Sequence, residues 1–265
     1  MSETISPIIS AVINFHGEGL IGHKTLMGLE RLRLFANKRN ISVEFVLVLD
    51  GADSETTRIV RSSPVLRDSD KIVEVANYDQ GASRNSGVAA ARGEYVCIFD
   101  GDDYYSENWL INALNIVNSK QGSVVVHPAY VVCFGVVHSI GNTLDIDINS
   151  DYPLSNLFSV HPWVSSSFAT RDIYLSHPYH RSDSNNTGFG FEDWHWNLEI
   201  LSQGIRHVSA PNTALFYRRK KSSVLVHHHE ENVLVRPSRF FDAPEKWLAS
   251  EAHFSEYACK TGEDK

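Results

Sequence analysis

A chain of 265 residues with 42% hydrophobic and 21% charged side chains has the composition of a folded globular protein, neither fibrous nor disordered. Its formal charge of −8 argues against nucleic acid as a partner, because phosphate binding needs a concentrated basic face. The three cysteines, Cys97, Cys133 and Cys259, form no C-x-x-C pair, and Cys97 and Cys133 lie in apolar runs that predict buried, inert thiols.

The N-terminal MSETISPIISAV lacks the basic n-region of a signal peptide. Residues 8–15, IISAVINF, are β-branched and apolar up to the turn-forming HGEG and predict a buried strand. Residues 23–40 then place Leu26, Leu29, Leu32 and Phe35 at helical spacing. VEFVLVLD (43–50) predicts a second buried strand, followed by a helix that Asp53 or Ser54 can cap. KIVEVAN (71–77) is a third strand, GASRNSGVAAARG (81–93) a small-residue helix closed by Gly93, and EYVCIFD (94–100) a fourth strand. This alternation predicts an α/β fold, a mostly parallel central sheet with helices on both faces. Ligands bind such sheets at the carboxyl ends of the strands, where His16, Asp50 and Asp100 converge.

The second half is less regular. A helix is expected over 106–120 and two strands around His127-Pro128 within 123–140. This longest apolar tract is broken by His127, Pro128 and His138, too polar to span a bilayer, so the cytoplasm is the expected compartment. Loops are expected over 141–162 and 176–190, an amphipathic helix over 191–204 ending on Gly204, and a strand over 207–219. The aromatic residues Phe240, Phe241, Trp247, Phe254 and Tyr257 predict a small packed C-terminal helix.

Three groups of residues carry chemistry. In FDGDD (99–103), Asp100 and Asp102 are hard oxygen donors suited to Mg²⁺ or Mn²⁺ on a diphosphate, and Gly101 permits the sharp turn. Glu192-Asp193 enters a helix after the glycine-rich NNTGFGF; helix capping and catalysis are both open for it. The third group is YRRKKSSVLVHHHEEN (217–232), cationic and then rich in histidine.

Together AVINFHGEG, VLVLDGADSETT, NYDQGASRNSGVAAARGEYVCIFDGDD and GFGFEDWHWNLEI resemble the GT-A-fold inverting glycosyltransferases of family 2 over roughly residues 7–225. The resemblance implies a GT-A domain over 1–225, with a nucleotide-sugar-binding half (7–110), an acceptor-side half (111–225) and a C-terminal helical extension (226–265). It implies nucleoside contacts from Asn14, Phe15, His16 and Glu18, a base contact, most often to uracil, from Asp50, and Arg84 near the nucleotide. Asp100 and Gly101 would approach the ribose or the metal, with Asp102 the direct metal ligand and Asp103 local structure. Asp193 would be the catalytic base, with Glu192 supporting it or contacting acceptor hydroxyls, and Trp194 and Trp163 offered to the acceptor; of Trp194 and Trp196, two positions apart, one is expected in the core.

Lys220 stands where the family carries a histidine, and an ammonium group cannot coordinate a metal. Lys220 or Arg218 is therefore assigned to the leaving diphosphate, and His227, on a segment read as extended, is preferred as the further metal ligand. The implied partners are a nucleotide-sugar, mainly UDP-linked, and a glycan or glycolipid acceptor. The implied location is the cytoplasm, at the inner face of the membrane where the acceptor is lipid-linked. Two other classes remain open: an inactive nucleotide- or sugar-binding module, and a nucleotidyltransferase, which lacks here its glycine-rich basic loop. An NAD enzyme is disfavoured because no G-x-G-x-x-G follows the first strand.

Overall fold

The computed structural model describes residues 6–120, 122–221 and 223–242. Strands β1 (Ile9–Phe15), β2 (Val43–Asp50), β3 (Lys71–Val75) and β4 (Tyr95–Asp100) pair in parallel in the order β3-β2-β1-β4. Helices α1 (Leu20–Asn37), α2 (Ser54–Arg61) and α3 (Gln80–Ala90) make the crossovers. Every residue of β2 is buried, as its near-continuous apolar run demands of a strand covered on both faces. Alternation divides the layers. Ile9, Ala11, Ile13 and Phe15 of β1 pack with Leu26, Leu29 and Leu32 of α1, while Val12 faces Val88 of α3 on the other side.

The sheet continues through antiparallel β8 (Phe168–Thr170), then β6 (Val124–Gly135), β10 (Arg206–Arg219) and β5 (Tyr104–Tyr105), with β7 (Ser139–Asn142) paired to β6. Between them lie α4 (Trp109–Ser119), a 3-10 turn (Leu154–Phe158), α5 (Arg171–Ser176), the short α6 (Ser184–Thr187), β9 (Phe189–Gly190) and α7 (Glu192–Ser202). Beyond β10, α8 (Val224–Glu230) leads to β11 (Leu234–Val235), which pairs in parallel with β9. Among the described residues no helix is long and apolar enough to cross a membrane.

Several expectations need correction. The strand β6, Val124–Gly135, runs unbroken through His127-Pro128 instead of splitting there, because the missing N–H of Pro128 falls where β10 bulges between Ala210 and Ala214. Thr213 Oγ1 fills the gap by accepting from the Ala129 N–H at 3.0 Å. Helix α3 ends at Ala90 with Ala91 as its C-cap, not at Gly93; at Gly93 a side chain would meet the Ser10 backbone nitrogen at 2.6 Å, so glycine there serves close approach to β1. Cys97 is fully buried, whereas Cys133 is half-buried. Phe240 is core and Phe241 packs beside it; Trp247, Phe254, Tyr257, Cys259 and the expected C-terminal helix lie outside the described residues.

Candidate functional site

The ends of β1, β2 and β4 form one edge. Asn14 is the register partner of Asp100, and the His16 ring meets the Asp50 carbonyl oxygen at 2.6 Å. The Phe15 ring is core, leaving only its backbone at this edge. A side chain at Gly101 would lie 2.6 Å from the Asn14 carbonyl oxygen, so the FDGDD turn needs glycine to rest against β1. Both polar atoms of the Asn14 amide are buried without a hydrogen-bond partner among the described residues, an orphan group that a ligand could satisfy.

Asp50 is used differently from its expected contact with a base. Its Oδ1 accepts the N–H groups of Asn77 (2.6 Å) and Tyr78 (2.8 Å), and its Oδ2 accepts the Asp79 N–H (3.0 Å) and the Ser83 hydroxyl (2.7 Å). Four donors saturate a carboxylate. What Asp50 offers outward is Tyr78, held at φ 51°, 72% exposed, with its ring over Gly51 and edge-on to His16 at 6.3 Å. A non-glycine residue in this conformation is uncommon and clusters at ligand sites.

Arg84 joins the two halves of the site. Helix α3 starts where Asp79 Oδ1 accepts the Ala82 N–H at 2.7 Å, and its Gly87 lies so close to Val12 and Val48 that no larger residue fits. That close seat carries Arg84, fully buried, between two carboxylates: Nη1 donates to Glu192 Oε1 at 2.5 Å and Nη2 to Asp100 Oδ1 at 3.2 Å. Burial opposes the guanidinium charge, and Asp100 and Glu192 outweigh it, holding Arg84 more firmly protonated than usual. Glu192 also accepts from Ser182 Oγ at 3.1 Å, so both its oxygens are engaged inside the protein rather than turned to an acceptor. Asp100 accepts from Ser165 Oγ at 2.7 Å on its second oxygen. The 179–182 segment is fastened to α3: Asn85 exchanges two hydrogen bonds with the Tyr179 backbone, and Asp79 Oδ2 accepts the Ser182 N–H at 2.6 Å.

Asp193 follows Glu192 in the first turn of α7, where the helix dipole favours a carboxylate. Its Oδ1 accepts its neighbour's N–H, from Trp194 at 2.8 Å. Burial raises its pKa above the ordinary carboxylate value, Arg84 opposes the rise and Asp100 adds to it. These couplings set Asp193 in the same electrostatic neighbourhood as the end of β4.

The three aspartates of FDGDD are distinct. Asp103 is buried, accepts the Arg218 N–H at 2.8 Å, and has its pKa pushed well up by burial and by Asp100 and Asp102. That backbone bond docks the end of β10 onto the turn. In consequence Lys220 Nζ sits 2.6 Å from Asp102 Oδ2, with Arg218 Nη1 at 3.6 Å. Glu18 accepts the His16 N–H at 2.6 Å; burial raises its pKa, with Asp102 adding to the rise and Lys220 opposing it.

This donor set does not fit the divalent ion expected from the sequence. Asp100 is committed to Arg84 and Ser165, Asp103 is buried on a backbone N–H, and Asp102 carries an ammonium. Among the described residues no three His, Cys, Asp or Glu side chains stand together as metal ligands. His227 is exposed on α8, a helix rather than an extended segment, and the inward-facing histidine is His228, its ring 4.8 Å from that of Phe191 and packed on Gly190.

The tryptophans also separate. Trp163 is buried, stacked on His207 at 4.1 Å, and donates from Nε1 to the Leu144 carbonyl, so it is core and not an acceptor platform. Trp196 packs with Tyr174 and Tyr179. Trp194 is only half-buried, stacks on His161 at 5.6 Å and donates from Nε1 to the Leu157 carbonyl at 3.2 Å. Sequence reasoning missed Tyr78 and Ser182 as site residues, although Tyr78 lies in the NYDQGASRN segment; Ser165 and His228 stood in segments already singled out, without the partners they take here.

The profile of the family described as Glycosyl transferase family 2 matches residues 29–176, more than half of the chain. Among curated relatives, the putative glycosyltransferase EpsH of Bacillus subtilis is 28% identical over 47% of this chain and 34% of its own length. WfaP of Escherichia coli, described as a UDP-Glc:alpha-D-GlcNAc-diphosphoundecaprenol beta-1,3-glucosyltransferase, is 24% identical over 67% of this chain and 66% of its own. The chain thus spans between a third and two thirds of these relatives. Among solved structures, Staphylococcus aureus TarS 1-349 in complex with UDP-GlcNAc aligns with TM-score 0.62 and 15% identity over 91% of this chain and 65% of that one. The mannosyltransferase PcManGT of Pyrobaculum calidifontis, in complex with GDP-Man and Mn²⁺, aligns with TM-score 0.58 and 17% identity over 92% of this chain and 68% of that one. At such identities the structural likeness concerns the GT-A fold.

Proposed function

The chain belongs to glycosyl transferase family 2, and from that premise we propose that it moves a sugar from a UDP-sugar to a hydroxyl of a glycan or glycolipid acceptor, inverting the anomeric carbon, with Asp193 as general base. The observation that carries this reading is the Arg84 bridge. It ties Glu192, at the start of α7, to Asp100, at the end of β4, so the neighbouring Asp193 shares a site with the strand ends.

The acceptor oxygen attacks the anomeric carbon, Asp193 takes its proton, and the bond to the phosphate oxygen breaks with its electron pair leaving on the nucleoside diphosphate. Arg218 and Lys220, beside Asp102, face the charge that develops there. Asn14 and Asp100 approach the ribose, and Tyr78 with His16 offers the base an aromatic face. Trp194 lines the acceptor side. The lipid-diphosphate substrate in the name of WfaP supports a lipid-linked acceptor and hence work at a membrane surface.

UDP is favoured as the donor nucleotide by the UDP-sugars in the names of TarS's complex and of WfaP. Thermal-shift titration tests this: UDP and a UDP-sugar raise Tm in a dose-dependent way, and GDP and ADP raise it less at equal concentration. A larger shift with GDP transfers the donor assignment to guanosine sugars.

A further inference from the structure

The FDGDD turn, read from the sequence as the holder of a divalent ion, carries a side-chain cation instead. Lys220 follows the last residue of β10, and β10 is clamped to the FDGDD turn by the Arg218 N–H on Asp103, so its seat is built by the fold. Its ammonium forms an ion pair with Asp102 Oδ2 at 2.6 Å, an oxygen that takes no hydrogen bond among the described residues. Arg218 adds a second positive charge at 3.6 Å from the same oxygen. Both cations are about one-third exposed, so they are reachable from the site while Asp102 beneath them is nearly covered.

The carboxylates around them are otherwise occupied. Asp100 serves Arg84 and Ser165, Asp103 serves the Arg218 backbone, and Glu18 holds the His16 N–H. A metal ion entering here would have one carboxylate to bind and an ammonium to displace, and an ammonium offers donors only. An incoming diphosphate needs no displacement: it accepts hydrogen bonds from the same Nζ that Asp102 orients.

On the reading that the chain uses a nucleoside diphosphate sugar, we propose that Lys220 is the resident cation of this site. It neutralises the diphosphate in place of a divalent ion, Asp102 acts as its positioning residue, and Arg218 is the second donor. No proton or bond changes hands at Lys220. The C1–O bond breaks toward the phosphate oxygen, whose growing charge accepts hydrogen bonds from an ammonium already fixed in place.

Calorimetric titration of the full chain with UDP, in EDTA and then in Mn²⁺, tests this. The expected affinity is the same in both to within about twofold, and Lys220→Ala weakens it by about tenfold or more in either buffer, the scale of a lost charge-assisted hydrogen bond. Lys220→His, which restores a metal-capable side chain, binds weakly in EDTA and regains affinity with Mn²⁺. A wild type that loses tenfold affinity in EDTA, or K220A and K220H variants that bind as tightly as wild type in EDTA, overturns the proposal alone. Absence of UDP and GDP binding in both buffers overturns the nucleotide-sugar reading along with it.

Discussion

Asp193→Asn lowers kcat for glycosyl transfer by about 10²–10⁴-fold, the contribution of a positioned general base, while UDP affinity stays within about twofold of wild type. Asparagine keeps the size of the side chain and can still accept the Trp194 N–H, so the start of α7 survives. What it cannot do is accept the acceptor's proton. The same residue sets a pH dependence. Burial raises the Asp193 pKa above the ordinary 3.8, and the ionised form is the active one. As pH falls through that raised value the base becomes protonated, so kcat/KM drops at a higher pH than an unperturbed aspartate would give. In Asp193→Asn this acid limb disappears from the residual activity. Turnover of the variant within about tenfold of wild type would remove Asp193 as the base.

Arg84→Met destabilises the fold by about 3–5 kcal/mol, because it leaves Glu192 buried with one hydroxyl donor and Asp100 with another. Methionine approximates the stem and not the charge. Urea denaturation measures the loss, and the double variant Arg84→Met, Glu192→Gln recovers part of it, since the stranded charge is then gone. A single-variant loss below about 1 kcal/mol would mean that the bridge is not buried as described. UDP affinity falls too, because Asp100 loses the partner that orients it.

How far the sequence foretold this molecule depends on how local the cause is. VEFVLVLD spans β2 residue for residue because a doubly covered strand must be apolar throughout. Asp53 caps α2 through the Thr56 N–H, a contact three residues away that its spacing announces. Pro128 misled, since its tolerance inside β6 depends on a bulge more than eighty positions away in β10. Gly93 misled because its use is contact with Ser10, not helix termination.

The site divides along the same line. Residues at strand ends, His16, Asp50 and Asp100, were legible because parallel topology puts strand ends together. Which oxygen each partner occupies was not. Arg84 and Glu192 are 108 positions apart, and nothing in either motif names the other. Asp50 illustrates the loss: its place beside the cleft follows from β2, yet its saturation by the 77–79 backbone and Ser83 depends on the loop leading into α3. The ammonium on Asp102 needed both the departure at Lys220 and the docking of β10 to become visible.

The central claim is a single displacement assisted by one base, and the anomeric configuration of the first product tests it most directly. Proton NMR of slow hydrolysis of a UDP-α-sugar, with water standing in for the acceptor, reads that configuration without knowledge of the natural acceptor. The β-anomer is expected first, with the α-anomer growing in only at the rate of mutarotation. An initial product of α configuration would contradict inversion and with it the role given to Asp193.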